Sequence, residues 1–254
     1  VPNIRLLIEY NGSKFHGWQH QPGLRTVQKE LHSVLETVLR EKISHVQASG
    51  RTDEGVHAKR QVVNFKCEKT PDLDVLRRSV SSILKNDLAV HSAEIVPDSF
   101  HSLRSACGKT YRYTIYNHDV PPVLDSGRVW LVHRQLDPQI MSESAAAIVG
   151  THDFKSFQGA KCGAPSPIKT IYESRIEFKA PYIIYTVTGS GFLKHMVRNI
   201  VGTIVDFGRG EAKRDSMREV LESRDRKAAG VKAPPWGLCL EKVWYETPII
   251  PYQD

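Results

Sequence analysis

The chain has 254 residues, 40% hydrophobic and 25% charged, proportions that exclude a disordered or fibrous polymer and leave room for one large domain or two small ones. Lys and Arg number 35 against 28 Asp and Glu, a formal charge of +7. A positive surface steers phosphate-bearing partners, which makes nucleic acid one candidate and a small phosphorylated metabolite another.

Ile4, Leu6, Ile8 and Tyr10 alternate with Arg5, Leu7 and Glu9, one apolar face and one mixed, the pattern of a first strand. After a glycine-bearing loop over 11–23, Thr26 is placed to cap a helix carrying Val27, Leu31, Val34, Leu35, Val38 and Leu39 inward and ending near Lys42. Strand-like stretches over 45–48 and 61–67 flank a polar loop over 50–60. Asp72 then opens a helix with Leu73, Leu76, Val80, Ile83 and Leu84 inward, and Val90 to Val96 completes a β-α-β-β-α-β order. A looser version recurs: strand Thr110 to Asn117, a helix opened by Asp137-Pro138, a hairpin around Ala180-Pro181, helices over 192–207 and 213–223, and a last strand over 237–245. The expected fold is therefore α+β (mixed α/β), two similar β-α-β-β-α-β lobes, 1–108 and 109–254.

Four cysteines, Cys67, Cys107, Cys162 and Cys239, are scattered without a C-x-x-C pair. That spacing fits neither a zinc ribbon nor a disulfide scaffold and suits a cytoplasmic protein. Neither a signal-type start nor an apolar run near the roughly 20 residues of a membrane span is visible. His16 and His20 are four apart, but Gly17-Trp18 between them favours a loop over a metal pair. No phosphate-cradling glycine motif of a nucleotide cofactor is present.

Two clusters concentrate reactive side chains. The loop Gly50-Arg51-Thr52-Asp53-Glu54-Gly55-Val56-His57 gathers a guanidinium, a carboxylate and an imidazole. Asp with Gly two positions later is also an ordinary turn signature, so turn and site both remain open here. In the segment 191–202, Lys194 and Arg198 are expected to share a helix face, with His195 and Asn199 in the adjacent row. A solvated basic face is the plain alternative. Phe192, Met196, Ile200 and Val201 argue for burial, and a buried Arg needs a carboxylate partner, for which Asp53 is a candidate. Tyr111, Tyr113 and Tyr116 are suited to stack on bases, at about 1–3 kcal/mol each, or to fill a strand core.

Several separated motifs now fall into one order: Tyr10-Asn11-Gly12 with Phe15-His16-Gly17-Trp18-Gln19, Gly50-Arg51-Thr52-Asp53 with Gly55-Val56-His57-Ala58, Gln61-Val62-Val63, Tyr111-Arg112-Tyr113 with Ile115-Tyr116-Asn117, His152-Asp153-Phe154, and His195-Met196-Val197-Arg198-Asn199-Ile200-Val201-Gly202. On these the sequence resembles the bacterial TruA-type tRNA pseudouridine synthases along nearly its full length. The resemblance implies a largely antiparallel mixed sheet flanked by helices. It also implies an isomerase that needs no cofactor and no metal, with Asp53 as nucleophile, Tyr111 against the target base and a candidate acceptor of the C5 proton, and Arg198 paired with Asp53. Arg51, His57, Lys194 and His195 would contact RNA. The implied partner is the anticodon arm of tRNA, bound in a basic cleft of a homodimer, with base flipping and modification of uridines at three neighbouring positions.

The chemistry suits these residue types. Uracil N1 leaves C1′, the base turns, and C5 takes its place, with no redox change and no donated group. A carboxylate that attacks must stay ionised, which an adjacent guanidinium favours. An aromatic face offsets part of the cost of unstacking the base. The sequence departs from the family pattern at Glu54, Arg60, Ser102-Leu103-Arg104 and Lys109, none of which removes the nucleophile. Other functions to weigh are a catalytically silent tRNA-binding chaperone, a pseudouridine synthase acting on other uridines, and a metabolic enzyme for a small phosphorylated substrate.

Overall fold

Ile4, Leu6, Ile8 and Tyr10 are all buried along β1 (Asn3–Tyr10) in the computed structural model, which describes residues 1–246. In chain order there follow α1 (Val27–Leu39), β2 (Gln47–Ala48), β3 (His57–Lys66), α2 (Leu73–Leu84) and β4 (Leu88–Val96). After them come β5 (Gly108–Asn117), β6 (Trp130–Val132), α3 (Pro138–Ala146), β7 (Gly150–Asp153), β8 (Ile168–Lys179), β9 (Tyr182–Gly189), α4 (Met196–Gly208), α5 (Met217–Ser223) and β10 (Leu238–Trp244). The fold is mixed α/β, and its strand ladders are mostly antiparallel. The described residues form two compact units, Val1–Cys107 with Cys239–Glu246, and Gly108–Leu238.

In the first unit β1 lies between β3 and β4, antiparallel to both. The caps are where the sequence puts them: Thr26 accepts from Lys29 N–H at 3.4 Å and Asp72 from Val75 N–H at 2.9 Å, each satisfying an amide that the first helical turn leaves unpaired. α1 stops at Arg40, whose φ of 57° is left-handed, short of the expected end near Lys42. On α2 the buried row is Leu76, Val80 and Leu84. Ile83, expected inward, is 51% exposed because it falls one position off that four-residue row.

β3 carries the feature that shapes the neighbouring loop. Its pairing with β1 runs in register to Ile8↔Gln61 and then shifts to Tyr10↔Ala58. Three residues of β3 are thus spent against two of β1, a bulge that re-aims the end of the strand. β10 runs parallel to β3 (Cys239↔His57, Leu240↔Ala58), and Cys107 N–H donates to the Trp244 carbonyl at 2.7 Å. Residues 239–246 therefore pack with the first unit, whereas a division at 108/109 assigns them to the second lobe. Residues 247–254, the end of that expected lobe, lie outside the described residues.

In the second unit the order is β6-β5-β9-β8-β7, with β5 parallel to β6 and the remaining pairs antiparallel. The hairpin β8–β9 turns at Ala180-Pro181 as the sequence predicts. β5 and β9 pair without a bulge from Lys109↔Gly189 to Tyr116↔Tyr182. Tyr113, Ile115, Ile183, Tyr185 and Val187 are consequently on one face, all buried. α4 is buried around nearly its whole circumference and packs against α3, which also lies on β8. Close helix packing is possible because Gly208 leaves room for Met141, whose Cγ stands 2.6 Å from the position a Cβ would take. No helix among the described residues is long and apolar enough to cross a membrane.

Candidate active site

Asp53 stands on the turn between β2 and β3, closed by Val56 N–H donating to the Asp53 carbonyl at 3.2 Å. Gly55 within it has φ +77°, a conformation that glycine adopts at little cost. A second loop, 11–19, braces the turn through main-chain groups. Trp18 N–H donates to the Thr52 carbonyl at 3.0 Å, and Gly55 N–H to the Phe15 carbonyl at 3.4 Å. Gly12 N–H donates to His57 Nδ1 at 3.1 Å. Tyr10, the last residue of β1, brings its hydroxyl to 2.8 Å from Thr52 Oγ1. On the opposite side Gln61 Nε2 donates to the Gly50 carbonyl at 2.9 Å, while its Oε1 accepts from Ser49 Oγ at 2.5 Å.

Two glycines make this fit possible. A Cβ on Gly12 would stand 2.1 Å from the Val56 carbonyl oxygen. One on Gly17, at φ +80°, would stand 2.9 Å from that of Thr52. The motif residues of loop 11–19 are therefore the other half of the Asp53 turn. The loop is itself anchored by Asp87, whose carbonyl accepts Asn11 N–H at 3.0 Å. The Asp87 carboxylate meets Arg25 at 2.8 Å and Lys14 at 3.1 Å, and the Arg25 hydrogen bond holds this carboxyl below its ordinary range.

The second unit supplies an aromatic face and a buried guanidinium. Tyr111 on β5 is 9% exposed, and its ring meets Phe192 edge-on at 5.2 Å and 88°. Arg198 on α4 is buried, and its Nε donates to the Ala233 carbonyl at 2.8 Å. The segment carrying Ala233 docks on α4 through Gly202, where a Cβ would stand 1.6 Å from the Val231 carbonyl oxygen, and through Gly230 N–H, which donates to Thr203 Oγ1 at 2.9 Å. Arg198 bears on the Tyr111 face: burial pushes the Tyr113 phenol well above its ordinary pKa, and the Arg198 charge offsets part of that rise. Tyr113 is wholly buried and donates to the Pro234 carbonyl, so it is core, and Tyr116 packs edge-on with Tyr182. Lys109, on the Tyr111 side of β5, is half-buried, and burial pulls its ammonium below the ordinary lysine range.

Some of the expected site residues lie elsewhere than the sequence suggests. α4 begins at Met196, after His195 at φ +62°, a left-handed N-cap that no Gly or Asn signals. Lys194 precedes the helix, is exposed, and is fixed by its main chain. Its carbonyl accepts Gly159 N–H at 2.8 Å and its N–H donates to Cys162 Sγ at 3.4 Å. Lys194 and Arg198 thus do not share a helix face. Asn199 joins the core, donating to the Phe157 carbonyl at 2.8 Å and accepting from Arg226 at 3.0 Å. Arg51 is exposed beside the Asp53 turn. Tyr10 and Gln61, strand and motif residues in the sequence, act here as braces, and a Gln inside a strand next to Val62-Val63 is a visible sign of a buried polar task. Among the described residues, no group of three or more His, Cys, Asp or Glu side chains is placed to hold a metal ion.

Comparison with known proteins gives a consistent result. The family model described as tRNA pseudouridine synthase matches residues 6–103 and 144–246. The chain is 41% identical to tRNA pseudouridine synthase A 2 of Clostridium perfringens over 243 residues, covering 96% of this chain and 99% of the relative. It is 42% identical to tRNA pseudouridine synthase A of Pseudomonas aeruginosa, covering 96% and 86%. The enzyme of that name from Legionella pneumophila strain Lens is 37% identical, with 95% and 92% covered.

Proposed function

The chain belongs to the tRNA pseudouridine synthase family, and from that premise we propose that Asp53 is the nucleophile with which it isomerises uridine to pseudouridine in the anticodon arm of tRNA. The observation that carries the assignment is the turn itself. Thr52, Gly55 and His57, around Asp53, are each bonded to Tyr10 or to loop 11–19, so the carboxylate is offered from a preorganised backbone. In the reaction the N1–C1′ bond breaks and a C5–C1′ bond forms, while C5 gives up a proton and N1 gains one. The carboxylate attacks either C1′ or the uracil ring. It returns unchanged, and the balance calls for no cofactor.

In this assignment Tyr111 receives the flipped base and is a candidate acceptor of the C5 proton. Its ring edge on Phe192 supports a fixed orientation. Arg198 pairs with the Asp53 carboxylate and keeps it ionised. The support is chemical: a buried guanidinium whose Nε is already directed by Ala233 is suited to one defined anion. Arg51, Lys194 and His195 contact RNA. His57, whose Nδ1 accepts from Gly12 N–H, does so too. The working form is a homodimer in the cytoplasm, and light scattering across a range of concentrations tests the assembly.

Tritium release from C5-labelled uridine in an unmodified tRNA transcript tests the assignment. Wild type is expected to release tritium, with product mapped to the anticodon arm. Asp53→Asn should release none, on the order of 10³-fold slower or more, with tRNA affinity and melting temperature retained. An Asp53→Asn protein that still turns over would sink the nucleophile. A wild type that binds tRNA and releases nothing would favour a binding protein.

A further inference from the structure

We propose that Lys109 grips a backbone phosphate next to the target uridine, a substrate contact beyond Asp53, Tyr111, Arg198, Arg51, His57, Lys194 and His195. The inference rests on the reading that Tyr111 faces the base. The ladder between β5 and β9 is unbroken from Lys109↔Gly189 through Tyr111↔Val187, so Lys109 and Tyr111 project from the same face one pleat apart, about 7 Å along the strand. The four-carbon stem of a lysine spans a comparable length. A base held on Tyr111 therefore has its own sugar-phosphate within the ammonium's range.

The packing around Lys109 is set by the residue across the ladder. The residue opposite Lys109 is Gly189, where a Cβ would stand 2.8 Å from Ile171 Cδ1 and 3.3 Å from Phe192 Cζ. Phe192, the ring set against Tyr111, thus occupies the space that a side chain at 189 would need. The side chains around the Lys109–Gly189 pair on this face are apolar, Ile171, Phe192 and Tyr111, and the nearby Thr170 carbonyl already accepts from Ser190 N–H at 2.9 Å.

The other face of the same strands is different. There Thr110 meets Thr188 at 2.9 Å, Thr188 Oγ1 donates to Glu173 at 3.2 Å, and Glu173 in turn accepts from Arg175 Nε at 2.6 Å. Thr110, Thr188, Glu173 and Arg175 thus find partners within the unit, although the neighbouring Thr186 Oγ1 on that side has none among the described residues. The Lys109 ammonium has no carboxylate or hydrogen-bond acceptor as partner among the described residues, and burial is the one influence acting on its protonation. A partly desolvated cation left unpaired is a standing cost to the fold. An RNA backbone supplies the missing charge at every nucleotide, whereas a neutral ligand does not.

The test compares wild type, Lys109→Met, which keeps the stem and loses the charge, and Lys109→Arg, all with a full-length unmodified tRNA transcript. Three quantities are read: single-turnover tritium release, the slope of log affinity against log salt, and melting temperature. Lys109→Met should be slower by about 10- to 100-fold and its salt slope shallower by about 0.7–0.9. Its melting temperature should be equal or higher, since an unpaired cation has been removed. Lys109→Arg should restore most of the rate and the slope. An active wild type with a Lys109→Met variant of equal rate and equal slope overturns the inference alone, as does a variant that loses rate only because it melts earlier. An inactive wild type removes the reading of Tyr111 and this inference together.

Discussion

In the first unit Asp53 stands on a turn whose main chain is tied to a loop far upstream, by Trp18 to Thr52, Phe15 to Gly55 and Gly12 to His57. In the second unit Tyr111 and Arg198 stand on a strand and a helix, placed by ladder register and by burial. The turn in one unit and the strand and helix in the other are fixed by different forces. Directional hydrogen bonds and glycine contacts hold the turn, so its geometry can be disturbed without unfolding the unit. Packing holds the strand and helix, so they cannot shift without loss of stability. The same kind of substitution should therefore have opposite signatures in the two places.

Gly202→Ala should give the largest loss of stability. Its Cβ would meet the Val231 carbonyl at 1.6 Å, and α4 is buried on every side. The expected cost is about 3 kcal/mol, read as a melting temperature lower by roughly 6–12 °C, with activity falling because Ala233, the partner of Arg198, moves. Gly12→Ala meets the Val56 carbonyl at 2.1 Å, yet the loop and turn can separate slightly. It should cost about 100-fold in kcat with less than about 2 kcal/mol of stability, measured by tritium release beside a thermal melt. If Gly12→Ala instead melts as early as Gly202→Ala with kcat intact, the distinction between the two regions fails.

Asp87→Asn should give the smallest effect and sharpens the comparison through pH. The folded carboxyl is depressed below its ordinary 3.8, first by Arg25 and then, against an opposing burial effect, by Lys14. Its contribution is therefore present above the unfolded value and is lost as pH falls through the lower, folded one. At neutral pH Asp87→Asn should cost a few tenths of a kcal/mol. Denaturant titrations of the two proteins should converge only as pH falls below the ordinary 3.8 and through the lower, folded value, where wild type is itself protonated. Convergence at neutral pH, or a constant gap down to acid, would count against the anchoring role.

How much of this was legible in the sequence divides along the same line. Thr26, Asp72 and Asp137 cap their helices as expected, because a cap is decided within three residues. The β8–β9 hairpin was visible for the same reason. The placement of residues 239–246 was not, since a strand's partner depends on register with residues 57 and 58, almost the whole chain away. β6 and β7, three and four residues long, carry too little pattern to declare themselves. His195 takes a left-handed φ without a residue that favours it, which moved the start of α4 and separated Lys194 from Arg198. At Asp53, turn and site are competing readings of the sequence, and the structure shows the turn. The link from Gly12 and Gly17 to that turn is not legible, because it rests on close main-chain approach and one amide-to-imidazole bond between stretches up to 45 residues apart.

The bulge in β3 and the brace of loop 11–19 also have a consequence for folding. The hydrogen bond from Gly12 to His57 spans 45 residues, and the others in the brace join the same two stretches of chain. Closing such separations costs chain entropy that is recovered only once β1 and β3 are paired and the bulge has set Tyr10 against Ala58. A nascent chain arrested before β3 therefore contains the whole glycine loop and has no site to show for it. The amides of Gly12 and Trp18, although they sit in a loop, inherit the opening energy of the central strand pair rather than that of the surface around them.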